Sequence, residues 1–168
     1  MSKEELIGTL EEGIVKLIDD FLEKPYAFYT ENDLHCHLYH ILCLLGLNKP
    51  CRVRLNGETV ESTLLHKEYP TERKYRRHPD RKSEVNEQKG KRGHFDLCIW
   101  DPTTAEQRTI RRSKGRGQRI LSAVEFSLWE ENRRNFQWHV DWDLQKLTDP
   151  LNEVERGYVL FFVRDYPY

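Results

Sequence analysis

Between Lys3 and Glu23 the apolar side chains Leu6, Leu10, Ile14, Leu17, Ile18 and Phe21 step through the chain as one helical stripe, and Pro25 ends it. A second helix starts at Thr30, an N-cap with Asp33 as its capping-box partner three residues on. It carries the stripe Leu34, Leu38, Ile41, Leu42 and Leu45 and stops at Gly46. Asn56-Gly57 marks a turn, after which Thr59 to Tyr69 reads as a strand that Pro70 closes. His94 to Trp100, opened by Gly93 and ended by Asp101-Pro102, is apolar on both faces and predicts a central strand. Arg119 to Trp129 has the same character. Trp138 to Leu147 reads as a helix ended by Asp149-Pro150, and Gly157 to Val163 as a last strand of Tyr, Val, Leu and Phe.

The order is helix, helix, three strands, helix, strand. Its simplest packing is an α/β fold, a mixed central sheet flanked by helices on both faces. At 168 residues, 38% hydrophobic and 33% charged, the chain suffices for one core and not two. The expected organisation is a single domain over 1–168, with an N-terminal helix in 1–25, a core over 30–163, and basic loops at 71–92 and 103–118. No run approaches the roughly 18 apolar residues of a membrane span, and Met1 to Leu10 holds no apolar signal core. A soluble cytoplasmic protein with no membrane partner is expected. Cys36, Cys43, Cys51 and Cys98 form no CxxC pair, so reduced, mostly buried thiols are expected in place of a disulfide framework.

A formal net charge of −1 conceals an asymmetry. Thr71 to Arg92 holds nine Lys or Arg against four acids, and Glu106 to Arg119 six against one, on an otherwise acidic body. One such run is ordinarily a solvated loop; two flanking the same short strand point to a phosphate-bearing partner. Arg73, Lys74, Arg76, Arg77, Arg111, Arg112 and Lys114 are the expected phosphate contacts. Nucleic acid is the expected partner, DNA ahead of RNA, and a chain this short favours a homodimer around a duplex.

Two carboxylates stand where strands should be apolar. Asp96 lies inside His94-Phe95-Asp96-Leu97-Cys98-Ile99-Trp100, and Glu125 inside Ala123-Val124-Glu125-Phe126-Ser127-Leu128. A buried carboxylate costs several kcal/mol unless it is paired or bound to a cation. A salt bridge would explain either alone; two on neighbouring strands repel, and a divalent cation relieves that. Glu31 sits at the N-terminal end of the second helix's core-facing stripe, where the helix dipole also favours an acid. Glu68, before Tyr69-Pro70, ranks fourth. Three oxygen donors suit Mg²⁺ or Mn²⁺, which can activate a water against a phosphodiester.

In order and residues the chain resembles the PD-(D/E)XK nuclease superfamily, with its restriction-endonuclease-like fold. Glu31 is similar to the family's helix acid, Asp96 to the Asp of its first motif strand, and Glu125 to the Glu of its second. Asp141 to Leu147 is similar to the charged helix that follows. The resemblance covers Thr30 to Val163 and implies a metal-dependent nuclease that hydrolyses nucleic-acid phosphodiester bonds. It implies Glu31, Asp96 and Glu125 as ligands of Mg²⁺ or Mn²⁺, with Ser127 and Lys146 as auxiliary catalytic residues. One departure matters: the family's Lys, two residues after the Glu, is Ser127 here, and a hydroxyl cannot carry that charge. Either Lys146 reaches the site from the following helix, or the fold is a catalytically inactive nucleic-acid or protein binding module.

Other constellations are weaker. Cys36, His40 and Cys43 could offer soft zinc ligands on one helix, with Cys51 as a distant fourth; His35, one turn after Glu31, could line the carboxylate site. Cys-His catalysis has no local signature here, and Lys114-Gly115-Arg116-Gly117 lacks the GK[ST] of a phosphate loop. Trp129, Trp138 and Trp142 could stack bases, though packing is their commoner use.

Overall fold

A computed structural model describes residues 1–55, 57–77, 83–85, 91–105, 109–110, 118–130 and 136–164. Helix α1 spans Lys3–Glu23 and α2 Glu31–Leu44, both closed at the N-terminus by capping boxes, Ser2 with Glu5 and Thr30 with Asp33. Strands β1 (Pro50–Leu55) and β2 (Glu58–Thr63) form an antiparallel hairpin with register Val53 opposite Val60, and the short β6 (Thr109–Ile110) lies parallel on β1. The main sheet holds β3 (Leu65–Arg77), β4 (Ser83–Val85), β5 (Lys91–Trp100), β7 (Ile120–Glu130) and β8 (Val154–Arg164), in the order β4-β3-β5-β7-β8. Helix α3, Phe136–Thr148, connects β7 to β8, which run parallel; the other pairs are antiparallel. The fold is therefore mixed α/β.

The stripes of α1 and α2 bury Leu6, Leu10, Leu17, Leu34, Leu38 and Leu42 against Leu97, Ile99, Val124 and Phe126 of the sheet. Gly13 lets the helices meet: a Cβ there would fall 2.5 Å from Leu42 Cδ2. On the opposite face Val53, Cys98, Trp100, Ala123 and Leu147 form a second core under α3 and the β1–β2 hairpin. Helices thus flank both faces. Among the described residues no helix is long and apolar enough to cross a membrane.

Several expectations need correction. Thr59 to Tyr69 is not one strand: it divides between β2 and β3 around Leu64, and the preceding Cys51 to Leu55 pairs as β1. Pro70 does not end β3, which continues to Arg77 through an irregular register between Pro70 and Lys74 that absorbs the missing N–H. The basic stretch 71–92, expected as a loop, therefore lies partly in β3, β4 and β5. Ile18 is exposed, and Ile7 is buried in its place.

Candidate functional site

Pairing between β5 and β7 ends at Leu97 opposite Val124, although both strands run on, β5 against β3 and β7 against β8. The same register carried one step further sets Asp96 opposite Glu125. Neighbouring N–H groups at positions i and i+2 point to the same strand edge, so the parting leaves Phe126 and Leu128 with donors facing the gap. Carboxylates fill it. Phe126 N donates to Asp96 Oδ2 at 2.8 Å, and Leu128 N donates to Glu31 Oε1 at 3.3 Å. An acid at the first turn of α2 and an acid inside β5 thus cap the edge of β7, each accepting from a backbone N–H that the parting leaves without a strand partner.

Since β7 pairs with β8 without irregularity from Ser122 to Glu130, its side chains alternate strictly. Val124 and Phe126 pack under α1 and α2, while Glu125 and Ser127 turn toward α3. Asp96, on β5 next to Leu97, lies close enough to add to the electrostatics of Glu125, Asp143 and Lys146. Waiting opposite is Lys146, whose Nζ lies 2.6 Å from Glu125 Oε2, 3.1 Å from Asp143 Oδ1 and 3.1 Å from the His94 carbonyl. Gly93 makes room for the lysine stem, since a Cβ there would stand 3.1 Å from Lys146 Cδ. The end of α3 is tied down by Asn152, whose Nδ2 donates to the Lys146 carbonyl at 2.6 Å and to Tyr75 Oη at 2.8 Å.

Four carboxylates, Glu31, Asp96, Glu125 and Asp143, surround this one ammonium. Burial pushes the Glu125 carboxyl well above its ordinary range, and Asp96 and Asp143 add to that rise against the pull of Lys146. Asp143 is raised by burial as well. Glu31 is exposed as a residue, yet its carboxylate lies against β7, and that desolvation, with Asp96 and Asp143, raises it too. Burial opposes the charge on Lys146, but Glu125 and Asp143 outweigh it and hold its pKa above the ordinary value. The three carboxyls thus rise chiefly because burial disfavours their charge, and the ammonium rises because the carboxylates beside it outweigh its own burial.

Glu68 stands opposite Asp96 in the β3–β5 register, between the pairs Lys67–Leu97 and Tyr69–Phe95, and does not pair there. Its φ of 53° is left-handed, a strained conformation for a residue with a side chain.

The sequence-predicted Glu31, Asp96, Glu125, Ser127 and Lys146 therefore meet at one place. Among the described residues no group of three or more His, Cys, Asp or Glu side chains is placed to hold a metal ion together. The same finding removes the zinc reading of Cys36, His40 and Cys43. Cys36 is exposed and accepts from Lys67 Nζ. Of the expected phosphate contacts, Arg73 lies 3.8 Å from Asp149 and Lys74 sits on β3. Arg76 and Arg77 fall on β3; Arg111, Arg112 and Lys114 lie outside the described residues. Asp143 was missed, although its spacing of three from Lys146 on a helix was a usable signal. Comparison of the chain with family models, curated proteins and solved structures gives no match.

Proposed function

We propose that this chain is a cytoplasmic nuclease of the restriction-endonuclease-like superfamily that hydrolyses phosphodiester bonds of nucleic acid, DNA ahead of RNA, with Mg²⁺ or Mn²⁺. The observation that carries the reading is the gathering of Asp96 and Glu125, beside Glu31 and Lys146, where β5 and β7 part. Further support comes from the order of elements, a helix before three antiparallel strands, then a helix and a parallel strand.

The donors fit a hard cation in a two-carboxylate site. Mg²⁺ commonly takes one or two carboxylates and completes its shell with waters and substrate phosphate oxygens. Glu125 Oε1 is buried without a hydrogen-bond partner, and only Oδ2 of Asp96 is engaged by Phe126. When bound there, the cation would offset the excess negative charge, polarise the phosphate and acidify a water. Lys146, held by Glu125 and Asp143, supplies the positioned ammonium that Ser127 cannot, and stabilises charge developing on the phosphate. Basic residues of β3, Arg73 and Lys74 among them, hold the nucleic-acid backbone.

Calorimetry with Mn²⁺, and Mg²⁺-dependent cleavage of labelled DNA and RNA, test the reading on the wild type and on Glu125→Gln and Glu125→Ala. The expected result is cation binding and cleavage in the wild type, with cleavage abolished and salt-sensitive binding retained in both variants. A folded wild type that binds no Mn²⁺ would overturn it. The close, buried Lys146–Glu125 pair favours a second reading, a binding module that does not cut; nucleic-acid binding without cleavage would establish that one.

A further inference from the structure

β8 is an outer strand of the main sheet, and among the described residues nothing pairs with its free edge. Folded proteins blunt such an edge with charge, proline, a bulge or shortness, because its unpaired N–H and C=O groups template another strand. The opposite edge, β4, is only Ser83–Val85. β8 runs from Val154 to Arg164, pairs with β7 without a bulge from Arg156 onward, and holds no charge or proline between Gly157 and Val163. Its alternation sets Tyr158, Leu160 and Phe162 under α1, where the rings of Phe21 and Phe162 lie 4.7 Å apart and Tyr158 Oη donates to Glu11 Oε1 at 2.8 Å. Gly157, Val159, Phe161 and Val163 take the other face, where Gly157 lies against Leu147 of α3.

The uncharged run of β8 is centred on Leu160. Helix α1 climbs about 1.5 Å per residue and a strand about 3.3 Å, so the contacts Glu11–Tyr158 and Phe21–Phe162 bring Ile18 level with Leu160 and Phe161. Ile18 is the middle of an apolar stripe that the core does not use, flanked by the exposed Val15 and by Leu22, which is 72% exposed. A groove of about 470 Å³ adjoins the first half of β8, lined by Leu144 and Leu147 of α3 and by Gly157 and Val159. Antiparallel self-pairing about Leu160 would set Val163 of a second copy opposite Gly157, and its Phe161 opposite Val159. Those two are the exposed side chains of the groove's own face, Val163 at 61%.

We infer that two copies of this chain join their β8 edges antiparallel about a two-fold axis at Leu160, making one continuous sheet. Across the axis Val15, Ile18 and Leu22 of α1 meet their equivalents, and Phe161 and Val163 of each copy close the other's groove. An axis normal to the sheet keeps both α1 helices on one side, and α1 also approaches β7. It therefore sits inward of β8, which leaves the about 8–10 Å that two packed helices need. A strand of any protein could satisfy the edge. Only a second copy brings stripe to stripe and side chain to groove on the same axis, as an isologous interface requires. Neither the pairing nor its test depends on the nuclease reading.

Sedimentation and light scattering of the wild type, Val163→Lys and Leu22→Lys test it, with circular dichroism as the check on folding. Both substitutions replace exposed side chains, and each places its charge in the contact twice. The wild type should have twice the chain mass and a melting temperature that rises with concentration. Each variant should have the single-chain mass, an unchanged spectrum and no such rise. A short bis-maleimide should link Ile18→Cys chains in pairs well above the wild-type background, and Leu44→Cys, exposed on α2 outside the contact, no more than that background. A wild type that stays monomeric to high micromolar concentration overturns the inference, whatever other segment the edge then takes. So does a dimer that survives both lysine variants, or one that only one of them breaks, since a single axis carries both patches.

Discussion

Lys146 Nζ stands 2.6 Å from Glu125 Oε2, with the lysine 5% and the glutamate 1% exposed. A helix cation and a strand anion thus meet in the buried interior, where loss of Lys146 leaves the Glu125 carboxylate without the ammonium beside it.

Lys146→Met should therefore destabilise the protein by about 3–5 kcal/mol at neutral pH, the usual cost of leaving one partner of a buried pair uncompensated. At acid pH the loss should shrink, because Glu125, whose carboxyl burial already holds well above its ordinary range, can then take a proton. Urea unfolding at both pH values checks this; an equal loss at each would show that packing, and not charge, sets the effect.

Glu31, Glu125 and Asp143 have folded-state pKa values raised above ordinary carboxylates. Each binds its proton more tightly folded than unfolded, so its contribution is fully present below the ordinary range and is lost as pH rises through the raised value. The combined contribution of these three groups should fall from about pH 4.5 upward. Mg²⁺ should raise the melting temperature more at pH 8 than at pH 5, and thermal melts with and without the ion measure the difference. Lys146 has the same sign at the other end of the scale: its contribution holds up to its ordinary 10.5 and fades only above it.

Gly93→Ala places a methyl 3.1 Å from Lys146 Cδ and 3.3 Å from Thr71 Oγ1. Overpacking should cost about 1–3 kcal/mol and push the ammonium off the His94 carbonyl. A lowered urea midpoint together with reduced cleavage is the expected pair of readouts.

Glu68→Gly should stabilise the protein by about 0.5–1 kcal/mol, since glycine adopts the left-handed backbone freely while a residue with a Cβ does not. The urea midpoint should rise, and a fall would mean that the Glu68 side chain makes a contact worth more than the strain.

Much of this site was legible from composition against pattern. Asp96 and Glu125 stood out because the apolar runs around them predicted burial, and burial of an acid demands a partner. Glu31 was visible from its place on the stripe of α2. Asp143 was less so, because an acid on a helix rich in Asp and Lys is unremarkable until the helix is known to bury that face. The break at Glu68 was hidden for a different reason: a left-handed residue inside a strand runs against local propensity, which favours extended backbone there.

Periodicity, caps and breakers are local physics, and from them alone followed three helices, the central apolar strands and the acids that could not sit there unaccompanied. Which strands part, which side chains fill the gap, and that one lysine rather than an arginine or a second acid faces Glu125, were settled by tertiary packing. Those relations join residues far apart in the chain, and their energies, chiefly the desolvation of charge, exist only once the sheet and α3 have closed over them.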